Sequence, residues 1–504
     1  MCAKFFERSS GVLLHPTSLP GEYGIGTLGK SAYKFVDFLK KSEQKLWQMF
    51  PLGPTGYGNS PYQCFSAFAG NPLLIDLEQL ILFDLLSYYD LDDIPELSNE
   101  RVDYAGVIAY KIPLLKKAGK CFIDADLAPE TIKRVNQFES KNAYWLDDYA
   151  FFMALKDHFG GGSWSGWEMD IRRREPEAMA HYRKMLEEEI QIQKYIQYLF
   201  FKQWFLLKRD ANYRKIKIIG DLPIFVAFDS ADVWSHPELF DLDDDLMPRS
   251  VAGVPPDYFC KTGQLWGNPL YNWDYSKQTG FSWWIERIKA SLKMYDIIRI
   301  DHFRGFTSCW SVPAQYETAV HGHWEPAAGA ELFEAVAKEL GELPIIAEDL
   351  GVITPEVEQL RDSNGFPGMK ILQFAFDSKE DNDFLPHNYT ANSVVYTGTH
   401  DNDTALGWYQ NASPEDKKFA RAYLDCRSDN FVWKLIRTAW ASPSGLSIVP
   451  LQDLLELGNE ARTNMPGSAS GNWEWRFGED VLSDALAFKL RGLTRTYRRS
   501  TPLC

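Results

Sequence analysis

Ile297-Ile298-Arg299-Ile300-Asp301-His302-Phe303-Arg304-Gly305 opens as a β-rich apolar run and ends abruptly in charged and small residues. Seven other runs along the chain share this character: Gly11 to His15, Leu46 to Phe50, Ile216 to Gly220, Ile345 to Glu348, Lys370 to Phe374, Val394 to Gly398 and Ser447 to Leu451. Segments of helical periodicity lie between them. Eight such strands alternating with helices predict an α/β chain folded as a (β/α)8 TIM barrel. The spacing is uneven: about 165 residues separate the second run from the third and about 75 the third from the fourth, where a bare βα unit needs about 30. Large insertions are therefore expected after the second and third strands of one elaborated barrel spanning 1–504. The first, 54–209, is rich in helical pattern, with Met185, Ile192, Tyr195 and Leu199 forming an apolar stripe between Glu177 and Trp204. The second, 224–274, reads as turn-rich loop, with its Gly253-Val-Pro-Pro-Asp-Tyr and Lys261-Thr-Gly-Gln-Leu-Trp-Gly-Asn-Pro stretches.

Charge narrows the partners. With 53 Lys and Arg against 69 Asp and Glu, the 504-residue chain carries a formal net charge of −16. Nucleic acid and anionic lipid would repel it, so a small neutral or cationic substrate is expected. The sequence also contains 17 Trp, 24 Tyr and 32 Phe, most of them expected in the core. Its seven cysteines are scattered and never spaced as a metal motif, which fits a reducing cytoplasm and predicts neither disulfides nor zinc. No stretch is long and apolar enough for a membrane span: Pro72 to Leu91 contains Asp76, Glu78, Asp84 and Asp90. Gly24-Ile-Gly-Thr-Leu-Gly29 spells a dinucleotide fingerprint, but prolines separate it from the preceding strand. The polar His321-Gly-His323 loop and the Asp241 to Asp245 acidic run lack the remaining ligands of a metal site.

Three of the runs end in carboxylates: Asp301, Glu348 in Ile345-Ile-Ala-Glu348-Asp349, and Asp401 in Thr399-His400-Asp401-Asn402-Asp403. A parallel barrel gathers the C-terminal ends of its strands on one face, so these acids are expected around a common pocket. Cleaving a sugar acetal requires such a set, with one carboxylate to stabilise an oxocarbenium-like centre and one carboxylic acid to protonate the leaving oxygen. An unperturbed Glu is only about 0.2 % protonated at pH 7, so the acid must be raised by burial or neighbouring anions. Glu348, after three apolar residues, is the better candidate for that shift. Asp301 shares a strand face with Arg299, which favours its ionised form. Spacing alone leaves the roles of Asp301 and Asp401 undivided.

These segments, with Ser10-Gly-Val-Leu-Leu-His15-Pro-Thr-Ser-Leu-Pro20-Gly, Leu52-Gly-Pro-Thr-Gly-Tyr57-Gly-Asn-Ser60-Pro-Tyr62-Gln, Gly253-Val-Pro-Pro-Asp257-Tyr-Phe and Gly471-Asn-Trp-Glu-Trp-Arg476, resemble the 4-α-glucanotransferase (amylomaltase, or disproportionating enzyme) family over essentially the whole chain. The resemblance implies a retaining transfer of α-1,4-glucan segments from a maltodextrin donor to the 4-hydroxyl of an acceptor, without cofactor or metal. Asp301 would be the nucleophile, Glu348 the acid and then base, and Asp401 the transition-state stabiliser. Tyr62, Asp221, Arg299 and His400 would line the donor subsite, with Ser60, Asp257, Tyr258 and Trp266 among the further substrate contacts and residues 253–269 forming a lid beside the cleft. The same resemblance points to a cytoplasmic bacterial protein or a mature plastid form, a monomer or weak homo-oligomer. An α-glucan hydrolase of the same barrel clan and a non-catalytic glucan-binding protein remain as rival readings.

Overall fold

The computed structural model describes residues 6–124, 128–256, 261–377, 382–468 and 470–500. Twelve strands form two sheets among these residues. Eight are parallel: β1 (Ser9–Leu13), β2 (Leu46–Gln48), β3 (Lys217–Pro223), β6 (Ile297–Asp301), β9 (Ile345–Ala347), β10 (Gly368–Ile371), β11 (Ser393–Tyr396) and β12 (Leu446–Pro450). Their order is β10-β11-β12-β1-β2-β3-β6-β9, each sequence neighbour lying beside the last. The two ends of that list meet as well. The Ala347 amide donates to the Pro367 carbonyl at 3.0 Å, and the Met369 amide to Asp349 Oδ1 at 2.7 Å, so the sheet closes on itself between β9 and β10. This is the (β/α)8 barrel, and each of the eight apolar runs contributes one of its strands. The run from Lys370 leaves the strand at Ile371 and continues as a 3-10 turn, Leu372–Phe376.

The strand period of two separates the cores. Leu13, Leu46, Ile219, Ile297, Met369, Ile371, Val394, Tyr396, Leu446 and Ile448 pack with one another inside the barrel. Val12, Trp47, Ile218, Ile298, Ile300, Ile345, Val395 and Val449 belong instead to the larger core between barrel and helices. On β6, residues 297, 299 and 301 therefore share the inward side, and on β3 residues 219 and 221 do. The register sets Asp221 directly beside Arg299. The alternation that builds the core also points these charged groups inward.

Between β2 and β3 run the long helices Tyr104–Asp124, Pro129–His158 and Glu187–Tyr213. The Glu177 to Trp204 stretch is two helices, Pro176–Met185 and Glu187–Tyr213, hinged at Leu186. Ile192, Tyr195 and Leu199 are buried, but Met185, at the end of the first helix, is 44 % exposed and lies outside the expected stripe. The turn-rich reading of 224–274 is corrected too. That segment contains β4 (Ser250–Val254) and β5 (Gln264–Pro269), which join β7 (Ser308–Pro313) and β8 (His323–Pro326) in an antiparallel sheet of order β5-β4-β7-β8. Two of these strands come from after Asp301, so the pairing is non-local. Gly253, Gly267 and the flanking prolines masked the short strands as turns.

Close approach fixes one glycine. A Cβ on Gly11 would lie 2.3 Å from the Leu46 carbonyl oxygen and 2.4 Å from the Leu46 Cβ, where β1 meets β2. Gly11→Ala is expected to destabilise the barrel by about 1–3 kcal/mol through overpacking. Gly492, exposed in the helix Asp484–Thr496 with no atom near the corresponding position, should behave oppositely, Gly492→Ala adding about 0.5–1 kcal/mol. Urea denaturation of the two variants checks both signs.

Candidate active site

The strand ends converge as parallel-barrel geometry requires. A cleft enclosing about 1220 Å³ opens among Ser60, Tyr62, Trp266, Asp301, His400 and Asp401, with Asn464 and Trp473 along one wall. Beneath it lies a chain of charge. Tyr62 Oη donates to Asp221 Oδ2 at 2.8 Å, and Arg299 Nη1 donates to the same oxygen at 2.6 Å. Arg299 Nη2 reaches forward to Asp301 Oδ1 at 2.9 Å. The side chains of Asp221 and Arg299 are 1 % and 4 % exposed while that of Asp301 is 28 % exposed, so only the last of the three opens freely to the cleft. Asp221 and Arg299 thus lie beneath the cleft floor and support it. The cause is their strand positions, one or more residues short of the barrel rim.

Burial alone would lower the Arg299 pKa, but Asp221 and Asp301 outweigh it and hold the guanidinium well above its usual value. Burial pushes Asp221 up to about 6 against the pull of Arg299, which leaves it ionised at pH 7. Glu348 follows β9 and is partly exposed in a recess. Its Oε2 accepts from the His302 amide at 2.7 Å and its Oε1 from the Leu350 amide at 2.9 Å. Those bonds favour the carboxylate, as does Arg299. Burial first, and then the charge of Asp301, override them and push the Glu348 pKa up to about 8. A proton is therefore retained on Glu348 at neutral pH, beside an aspartate clamped by a cation.

Asp401 also lines the cleft and is 48 % exposed. His400 Nε2 lies 3.4 Å from its Oδ1, which also accepts from Asn464 Nδ2 at 2.6 Å. Arg462 Nη2 donates to the Asp401 carbonyl at 2.6 Å. His400 is itself gripped by rings: Tyr62 stacks on it with centroids 4.9 Å apart, and Phe50 meets it edge-on at 5.0 Å. The Ser60 hydroxyl accepts from the Tyr62 amide at 3.2 Å and shapes the turn that presents this ring. Trp266, on β5, meets the His302 ring nearly at right angles, centroids 4.8 Å apart. Asp257 and Tyr258 lie outside the described residues.

Sequence reasoning passed over His302, Asn464 and Trp473. His302 has a left-handed backbone, φ 52°, uncommon for a non-glycine residue, and this turn aims its amide at Glu348. Burial lowers its imidazole pKa to about 4, so the ring is neutral, and Nε2 has no hydrogen-bond partner among the described residues. Its position directly after Asp301 was the available signal. Asn464 sits in irregular chain with no pattern to flag it. Trp473, within the quoted Gly471 to Arg476 motif, packs against Tyr62, His400 and Phe50. No cluster of three or more metal-binding side chains occurs among the described residues, and no described helix is long and apolar enough to cross a membrane.

A family profile described as 4-alpha-glucanotransferase matches residues 14–481. Among curated relatives, a 4-alpha-glucanotransferase of Synechocystis is 52 % identical over 498 residues, covering 98 % of each chain. One from Thermus thermophilus is 51 % identical over 500 residues, covering 98 % of this chain and 99 % of its own. Among solved structures, an amylomaltase from Streptococcus agalactiae in complex with acarbose superposes with a TM-score of 0.95 at 46 % identity, covering 98 % of this chain and 100 % of that one.

The raised Glu348 pKa makes a stability prediction with a definite sign. A folded-state pKa of about 8 against an ordinary 4.5 means the folded protein holds a proton that the unfolded chain releases, so this contribution is fully present below about pH 4.5 and is lost as pH rises through 8. Glu348→Gln, which mimics the protonated acid, should match wild type near pH 4.5 and exceed it in stability at pH 9. Thermal melts of both proteins at the two pH values read the difference.

Proposed function

As the chain belongs to the 4-alpha-glucanotransferase family, we propose that it transfers α-1,4-glucan segments between maltodextrins through a glucanyl-enzyme, with Asp301 as nucleophile, Glu348 as acid and base, and Asp401 as transition-state stabiliser. The observation that carries the assignment is the contrast between neighbouring acids. Arg299 holds Asp301 by a charge-assisted bond, while Glu348 keeps its proton at neutral pH. A carboxyl group that keeps its proton, next to one held in place by a cation, is what acetal cleavage requires.

In the first half-reaction, Asp301 attacks the anomeric carbon as the bond to the departing 4-oxygen breaks, and Glu348 gives that oxygen its proton. The donor remainder is then β-linked to Asp301 and Glu348 is a carboxylate. In the second half, Glu348 takes the proton of an acceptor 4-hydroxyl, whose oxygen displaces Asp301 and restores the α-linkage. One α-1,4 bond replaces another, so the exchange is near thermoneutral. Asp401, oriented by Asn464 and His400, is suited to hold sugar hydroxyls against the oxocarbenium-like centre. Transfer outpaces hydrolysis when an acceptor sugar fills the site that water would otherwise occupy. Trp266 and the neutral His302 both line the cleft, which supports assigning them to that acceptor wall. Asp257 and Tyr258 belong to the same proposed set of substrate contacts. We place the enzyme in the cytoplasm, or in a plastid for a plant form, acting on glucan as a monomer or weak homo-oligomer.

Incubation with maltotriose should give glucose and a ladder of longer maltodextrins at constant total reducing ends; a steady rise in reducing ends would instead mean hydrolysis. Asp301→Asn is expected to lose well over about tenfold in kcat. The wild-type rate should fall as pH rises past about 8, where Glu348 gives up the proton it must donate.

A further inference from the structure

A second groove, enclosing about 950 Å³, lies outside the catalytic cleft. Phe68 forms its floor, on the same segment that carries Tyr62 into the active site. The Tyr144 and Trp283 rings both stand perpendicular to Phe68, with centroids 5.6 Å and 6.0 Å away and interplanar angles of 89°. Trp145 lies parallel beneath, at 6.4 Å and 12°. Tyr144 is 40 % exposed although it sits on the long helix Pro129–His158, whose neighbouring residues Trp145 and Leu146 are buried. The rim is polar: Glu238, held by His236 at 3.3 Å, and Glu286 face the same space, with Thr279 beside them.

We infer that this groove is a remote binding site for an α-glucan segment, serving to hold long substrate chains at the protein surface. The reasoning is chemical. Flat ring faces pack against the C–H faces of pyranose rings, and carboxylates accept from sugar hydroxyls. The catalytic cleft presents the same pairing, in Trp266 and Trp473 with Asp301 and Asp401. Glu286 is paired with Lys289 at 2.8 Å and Glu238 with His236, so the rim is polar and close to charge-balanced, and the net charge of −16 disfavours anionic ligands. The rings come from separate elements, the helix Pro129–His158, the helix Ser282–Met294 and the 61–68 segment, so the groove is preformed by packing and needs little ordering on binding. A polymeric substrate held in the groove would keep its chain ends near the protein and so raise their effective concentration at the catalytic acids. Maltotriose is too short to gain from this. The inference rests on the transfer reading only in its choice of ligand.

Wild type, Tyr144→Ala and Thr279→Arg are compared by native electrophoresis through gels containing amylopectin and by kinetics on maltotriose and on long amylose. Tyr144→Ala removes an exposed ring, and Thr279→Arg fills the groove from an exposed position at a helix end. Both variants should lose about fivefold in amylopectin affinity, the scale of one aromatic contact, and in kcat/KM on long amylose. Their kcat and KM on maltotriose should stay within about twofold of wild type, since neither residue touches the cleft. Unchanged amylopectin affinity in both variants overturns the proposal, and so does an equal loss on maltotriose, which would tie the groove to the catalytic site. Hydrolysis instead of transfer by the wild type would overturn the transfer reading alone, because the amylopectin gel reads binding independently of the reaction.

Discussion

The Arg299 guanidinium, buried between Asp221 and Asp301, is the constraint on which the site is built. An arginine is hard to desolvate, and here it is almost wholly removed from water; only the two carboxylates make that tolerable. The same ion pairs position Asp301 at the cleft floor and, through Asp221, anchor the Tyr62 hydroxyl across the barrel. Losing the arginine would strip the buried Asp221 of its counter-charge, a cost of about 3–5 kcal/mol. The division of labour between Asp301 and Glu348 therefore depends on a residue that does not reach the cleft surface.

Glu348 shows how competing effects are settled. Two backbone amides bind its oxygens, and in isolation such bonds depress a carboxyl pKa. Its recess and the nearby charge of Asp301 act in the other direction and prevail. One of those amides belongs to His302, whose left-handed backbone is the strained element of the site. The strain is offset by what it positions: an amide on Glu348 and a neutral imidazole against Trp266.

Much of this was legible in the sequence because it follows from local pattern. The eight apolar runs mark the barrel strands, and the period of two sets Arg299 and Asp301 on one face. The apolar residues ahead of Glu348 anticipated its raised pKa. What escaped depended on contacts distant in sequence. The antiparallel sheet joins β4 and β5 to strands that follow Asp301, and its glycines and prolines read locally as turns. The burial of Asp221 and Arg299 beneath the floor reflects strand length, which a motif does not encode. Asn464 reaches Asp401 from irregular chain 63 positions onward, and no periodicity announces such a contact.

The central claim is that Glu348 holds a proton at neutral pH beside an Asp301 that is hydrogen-bonded by Arg299. Carbon-13 NMR of protein labelled at the glutamate side-chain carboxyls, with the Glu348 resonance assigned by its loss in Glu348→Gln, measures this directly. The account predicts that this resonance titrates near pH 8, well apart from the other glutamates. Titration near the ordinary 4.5 would contradict it and leave the proposed acid without its proton.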